Sequence, residues 1–151
     1  MGKIIFTQPA LLIVLTSLAI AWEVRSVTAE TVLVRVANES AQPLNFGAGY
    51  LKKTLKNTGH ATTHLKSDGA SIHMVVGDLS TVHGRRLGKG LDVPTSANSF
   101  VINVRDTTVR VIGRDAVGAM YGCFELADAV ELIGGGLLLD AIVSKTASPF
   151  L

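Results

Sequence analysis

The chain has little of what most often marks a reactive or ligand-binding protein. Its 151 residues hold one cysteine, Cys123, so an intramolecular disulfide is excluded. Aromatic residues make up 5%, and the one tryptophan, Trp22, falls in an N-terminal apolar stretch, which leaves few rings for stacking on a sugar. Charged residues make up 17% and the formal net charge is +2, so the sequence carries no basic footprint for nucleic acid or an anionic membrane. The N-terminal apolar run, Leu11 to Trp22 (LLIVLTSLAIAW), is short of the roughly 20 residues that cross a bilayer.

What is present begins with a segment built like a secretory signal. Lys3 supplies a short positive region, Leu11 to Trp22 the apolar core, and Val27-Thr28-Ala29 the small residues a signal peptidase reads. We expect cleavage after Ala29, a secreted or periplasmic mature chain and no stable membrane span. A retained lipid-facing anchor is the alternative. Residues 30–143 are then one domain's worth of chain, long enough to bury a core, and residues 144–151 read as a linker containing Pro149.

Hydrophobic periodicity organises that domain. Thr31 to Ala37 alternates and is β-branched, as a strand requires. After a turn at Asn38 to Pro43, Leu44, Leu51 and Leu55 share a helical face over residues 44–56, with Gly59 placed to cap the end. Thr58 to Gly69 reads as a polar loop and Ser71 to Gly77 as a second strand. Asp78 to Pro94 reads as a long surface connection with one helical turn, carrying the basic residues Arg85, Arg86 and Lys89. Ser99 to Arg105 and Thr107 to Gly113 are predicted to form a hairpin about Asp106. Ala116 to Leu132 is predicted as a second helix, stopped by Gly134-Gly135-Gly136, and Leu137 to Val143 as a last strand. The order β-α-β-β-β-α-β implies an α+β fold, with a small mixed or antiparallel sheet and two helices packed on one face.

The densest pattern is VRVIGRDAVGAMYGCFEL, Val109 to Leu126. Gly113 ends a strand, Asp115 is placed to cap a helix, and Gly118 and Gly122 fall on one face of that helix, where they let its backbone lie close on a sheet. With Phe100-Val-Ile before it and Val75-Val76-Gly77 as a strand end, this phrase resembles the small N-terminal α/β domain that precedes the catalytic barrel in several exo-acting glycoside hydrolases. The resemblance is to the α-glucuronidase N-terminal domain type (glycoside hydrolase family 67) and to the non-catalytic N-terminal domain of family 20 β-N-acetylhexosaminidases. Ile112, Gly113, Asp115, Gly118, Tyr121, Gly122, Glu125 and Leu126 match the phrase, and the likeness runs from about Val32 to Val143. It implies a domain whose partner is a catalytic (β/α) barrel. The family's catalytic carboxylates lie in that barrel, so none is carried onto this sequence. Gly113, Asp115, Gly118, Tyr121, Gly122 and Glu125 are the residues expected to serve docking.

The remaining chemistry is sparse. Glycoside hydrolysis needs two carboxyl groups about 5 Å apart, or wider for inversion. The nearest cluster, Asp115, Glu125, Asp128 and Glu131, reads as a cap and a solvated helix face. His60 and His64 have a chelating spacing but no third ligand and read as a solvated loop pair, so no metal is expected. His73 and His83 read as structural or exposed. Gly113 to Gly118 has the glycine spacing of a P-loop, yet Ala119-Met120 stands where Lys-Ser/Thr is needed, and Asp115 replaces the second glycine of a dinucleotide fingerprint, so no cofactor is expected. Arg85, Arg86 and Lys89 read as a solvated loop, with an acidic sugar such as a uronate as the ligand they would suit. Cys123 reads as a small packed residue rather than a nucleophile, because no histidine is tied to it. Asn38-Glu39-Ser40 is a glycosylation sequon, relevant only in a glycosylating host. The expectation is a non-catalytic accessory domain of an exported carbohydrate-active enzyme. The alternative is a free-standing module binding a polysaccharide or a protein, which the shortage of rings outside core-like positions disfavours.

Overall fold

A computed structural model of the chain describes residues 31–37, 41–63, 70–132 and 145–147. The elements in order are β1 (Thr31–Val36), α1 (Gln42–Asn57), β2 (Ala61–Thr63), β3 (Ile72–Asp78), α2 (Val82–Leu87), β4 (Phe100–Arg105), β5 (Thr108–Gly113), α3 (Ala116–Leu132) and β6 (Lys145–Ala147). They build a six-stranded mixed sheet in the order β2-β1-β3-β5-β4-β6. Strands β2, β1, β3 and β5 run parallel, whereas β5, β4 and β6 pair antiparallel. The α+β class follows directly.

The alternation seen in the sequence sorts the two faces. Val32 and Val34 of β1, Ile72, Met74 and Val76 of β3, Phe100 and Ile102 of β4, and Val109 and Val111 of β5 all belong to one core. The hairpin register sets Ile102 opposite Val111 and Val104 opposite Val109, so both strands present the same face to it. Helices α1 and α3 close this core with Leu44, Leu51 and Leu55 from one and Cys123, Leu126 and Val130 from the other. Each fully buried aliphatic or aromatic side chain here contributes about 1.5–3 kcal/mol over leaving it in water.

Helix α1 starts earlier than the leucine spacing indicates, at Gln42, because Pro43 fits the first turn, where its missing N–H is no loss. It ends in a Schellman motif. Gly59 takes φ 91, its N–H donates to the Lys56 carbonyl, and the His60 N–H donates to the Leu55 carbonyl. That return draws the chain onto the sheet, so His60 is buried rather than part of a solvated pair, and Ala61–Thr63 forms β2 beside β1 instead of a loop. His64 lies outside the described residues.

Two further elements go beyond the sequence reading, which gave the first only as a helical turn in a surface connection. The glycine-rich segment after β3 contains α2, capped by the Thr81 hydroxyl, which accepts from the Gly84 N–H at 2.9 Å. It lies on the face opposite α1 and α3, so two helices cover one face and a third covers the other. Contact is close because Gly77 has no side chain: a Cβ there would stand 3.1 Å from the Ala37 Cβ and 3.4 Å from Leu87. Lys145–Ala147, expected within the linker, pairs with β4 at Phe100 to Ile102 and widens the sheet. The expected strand Leu137 to Val143 and the N-terminal signal lie outside the described residues.

The glycines of α1 separate two roles. A Cβ at Gly47 would meet the Met120 Cα at 2.8 Å, so Gly47 sets how closely α1 and α3 cross, whereas Gly49 has nothing within 4 Å. We therefore expect Gly49→Ala to stabilise the fold by about 0.5–1 kcal/mol, through helix propensity alone. Gly47→Ala should destabilise it by about 1–3 kcal/mol through overpacking. Urea unfolding of the two variants against the parent chain checks the opposite signs.

Candidate functional site

The glycine phrase forms a tight joint between β5 and α3. Gly113 is the last residue of β5, and a side chain there would overlap the Asp115 carbonyl and the Ala119 backbone. Asp115 caps α3: its Oδ1 accepts from the Gly118 N–H at 2.8 Å. Its Oδ2 accepts from the Asn98 N–H at 2.9 Å, across the turn before β4, where Asn98 itself takes φ 60. The Arg114 N–H donates to the Ser99 carbonyl at 2.8 Å, and Ser99 Oγ donates to the Pro94 and Ser96 carbonyls, each at 2.7 Å. One carboxylate thus fastens a helix start to the turn before the neighbouring strand.

The close approach expected of Gly118 and Gly122 is realised within this domain. A Cβ on Gly118 would overlap the Ser99 carbonyl, and one on Gly122 would press on Val111 and the Phe100 ring. Gly113, Asp115, Gly118 and Gly122 are thus spent on the internal joint. Of the expected docking set, Tyr121 and Glu125 remain half-buried on α3.

Beside Tyr121 lies an aromatic surface, although the sequence reading set most of the rings at core-like positions. Phe46 is 66% exposed and Tyr50 40%. Both rings stand edge-on to Phe124, with centroids 6.0 and 5.2 Å from it, and Tyr121 meets the same ring at 6.3 Å. The four rings form a ridge along the seam of α1 and α3. Phe100, by contrast, is a core residue, and Phe150 lies outside the described residues.

The acidic candidates Asp115, Glu125 and Asp128 stand in different surroundings, and the Glu131 side chain lies outside the described ones. Asp115 is consumed as a cap, Asp128 is exposed, and Glu125 is half-buried on the helix. Asp78 is buried at the end of β3, where its Oδ1 accepts from the Ser80 N–H and hydroxyl. Among the described residues no group of three or more His, Cys, Asp or Glu could hold a metal ion.

Of the basic candidates, Arg85 is structural, because its Nη1 donates to the Leu79 and Ser80 carbonyls at 3.1 and 3.0 Å. Sequence reasoning missed a cavity of about 500 Å³ on the α2 face, lined by Arg35, Val36, Ala37, Val75, His83 and Leu87. Its one legible signal was Arg35, a charge at an outward position of an alternating strand.

Cys123 is buried in the core on α3, beside Gly47 of α1, and desolvation pushes its thiol up from 9.0 to about 12. The unfolded chain releases this proton first. The group's contribution to stability is therefore intact below about pH 9 and declines as pH climbs toward 12.

No protein-family model and no curated protein matches the sequence. Solved structures do share the fold. One is a GH138 enzyme targeting pectin rhamnogalacturonan II, at TM-score 0.59 and 20% identity, with 79% of this chain and 15% of that chain covered. Another is a family GH115 4-O-methyl-α-glucuronidase with specificity for decorated arabinogalactans, at TM-score 0.53 and 19% identity, with 66% and 13% covered. The chain therefore spans a small part of the glycoside hydrolases whose fold it shares.

Two outcomes check the joint and the thiol. Asp115→Ala should lower stability by about 1–2 kcal/mol, the usual value of a lost helix cap, as read by urea unfolding. Cys123 should resist iodoacetamide in the folded chain at about pH 8 and label fully once guanidinium unfolds it, because only the exposed thiol reaches its reactive thiolate.

Proposed function

We propose that the chain is a non-catalytic accessory domain of an exported glycoside hydrolase, of α-glucuronidase-like or β-hexosaminidase-like type, that packs against a catalytic (β/α) barrel. The observation that carries this reading is the fold shared with stretches covering 13–15% of glycoside hydrolase chains.

The surface that suits the barrel contact is the ridge of Phe46, Tyr50, Tyr121 and Phe124, with Glu125 beside it on α3. Exposed aromatic rings of this kind are enriched at the buried centres of protein interfaces. The Gly118 and Gly122 face is already covered within the domain, and among the described residues the outer strands β2 and β6 are each three residues long.

The second reading is a free-standing secreted module that binds a polysaccharide or a protein. The exposure of Phe46 and Tyr50 favours it more than the sequence did, because these rings stand at the surface.

We expect the purified chain to show no turnover of aryl glycosides or aryl uronides. Measurable hydrolysis that disappears in Glu125→Gln would overturn the accessory reading. Saturable capture by xylan or chitin beads would move the second reading ahead.

A further inference from the structure

The sheet face opposite the α1 and α3 core is covered at β3 and β5 by α2, and the cavity opens beside it. Its volume of about 500 Å³ falls within the usual range of small-molecule sites, about 300–1,000 Å³. Its position follows from the topology. Parallel neighbours β1 and β3 lead into helices on opposite faces, β1 into α1 and β3 into α2. Such a reversal opens a crevice at the carboxyl ends of the strands, the place where open sheets with parallel strands bind their ligands. Val36 and Ala37, at the end of β1, are in its lining.

The lining has a definite chemical sense. Arg35 and His83 are both exposed, and neither side chain has a hydrogen bond or ion pair among the described residues. Two other arginines on this face are committed: Arg85 to the Leu79 and Ser80 carbonyls, and Arg110 to the Leu87 carbonyl and the Asn103 amide oxygen. Among the described residues no acidic side chain lines the cavity, and Val75 and Leu87 give it an apolar wall. A guanidinium with open donors matches a carboxylate geometrically and electrostatically. An imidazole adds a donor or acceptor for a hydroxyl. Aliphatic side chains suit the C–H face of a sugar ring.

We propose that this cavity binds one carboxylated sugar ring, with its carboxylate on Arg35, a hydroxyl on His83 and its C–H face on Val75 and Leu87. The anion site stands on the cavity alone. The choice of a sugar acid over another carboxylate rests on reading the chain as a domain of a carbohydrate-active enzyme.

The test is a titration of the purified chain followed by NMR chemical shifts, with D-glucuronate, D-glucose, acetate and phosphate as separate probes. D-glucuronate should give saturable shifts with a Kd on the order of millimolar, while D-glucose gives none and acetate and phosphate bind more weakly. Arg35→Gln should weaken D-glucuronate about tenfold, as expected for losing a charge-assisted contact. His83→Gln, a second exposed position, should weaken it as well, with circular dichroism confirming that both variants are folded. The proposal is overturned by unsaturable D-glucuronate shifts, by affinity unchanged in both variants, or by equal binding of D-glucose. Acetate or phosphate binding as tightly as D-glucuronate overturns the sugar assignment and leaves a simple anion site. Hydrolysis of aryl uronides by a chain that also binds D-glucuronate would sink the accessory reading while this site stands. Absence of both activities would sink the site alone.

Discussion

The rest of the fold depends on how closely α3 lies on the sheet. That distance is set by Gly113, Gly118 and Gly122, each of which would collide with backbone or core side chains if it carried a Cβ. Asp115 then locks the arrangement, because its two oxygens accept backbone amides from the helix start and from the turn before β4. Close packing brings Phe100 and Val111 under α3, and α1 crosses α3 at Gly47. A larger residue at any of these points would have to lift one helix off the core, since protein interiors leave little room to give.

This constraint also decides what the domain offers to others. Its bare helix face is turned inward, so the exposed surfaces with chemical character are elsewhere. On one side lie the four rings along the α1 and α3 seam, and on the other the cavity between α2 and β1. The two lie on opposite faces of the sheet. A partner seated on the rings therefore leaves the cavity open, and one domain can contact a protein and a small ligand at the same time.

Much of the fold was legible because it is written locally. Period-two alternation marked β1, β3, β4 and β5, and the short spacing about Asp106 marked the β4–β5 hairpin. Asp115 and the glycines marked α3. The misses have physical causes. Strand β2 is three residues of Ala-Thr-Thr, too short and too polar to show a period, and it forms because the Schellman turn aims the chain at β1. Helix α2 was read as one turn in a surface connection, but its packing on the sheet was not, because that contact depends on Gly77 of a separate strand. The ring ridge was hidden because Phe46 and Tyr50 sit one turn apart on α1, a spacing that buried and exposed faces share. The cavity joins Arg35 to His83, residues from separate elements that no spacing rule connects.

The two outermost strands, β2 and β6, are each three residues long, and the longer strands all lie between them. A sheet's border is where foreign strands add, because unpaired N–H and C=O groups there form a ready template for aggregation or strand exchange. Among the described residues that template comprises the two three-residue strands and the halves of β1 and β4 that they leave uncovered. Among the described residues β3 and β5 have a strand on both sides, while β2 and β6 cover only the Thr31–Leu33 and Phe100–Ile102 halves of β1 and β4, so the ladder a foreign strand could extend is confined to the margins of the sheet.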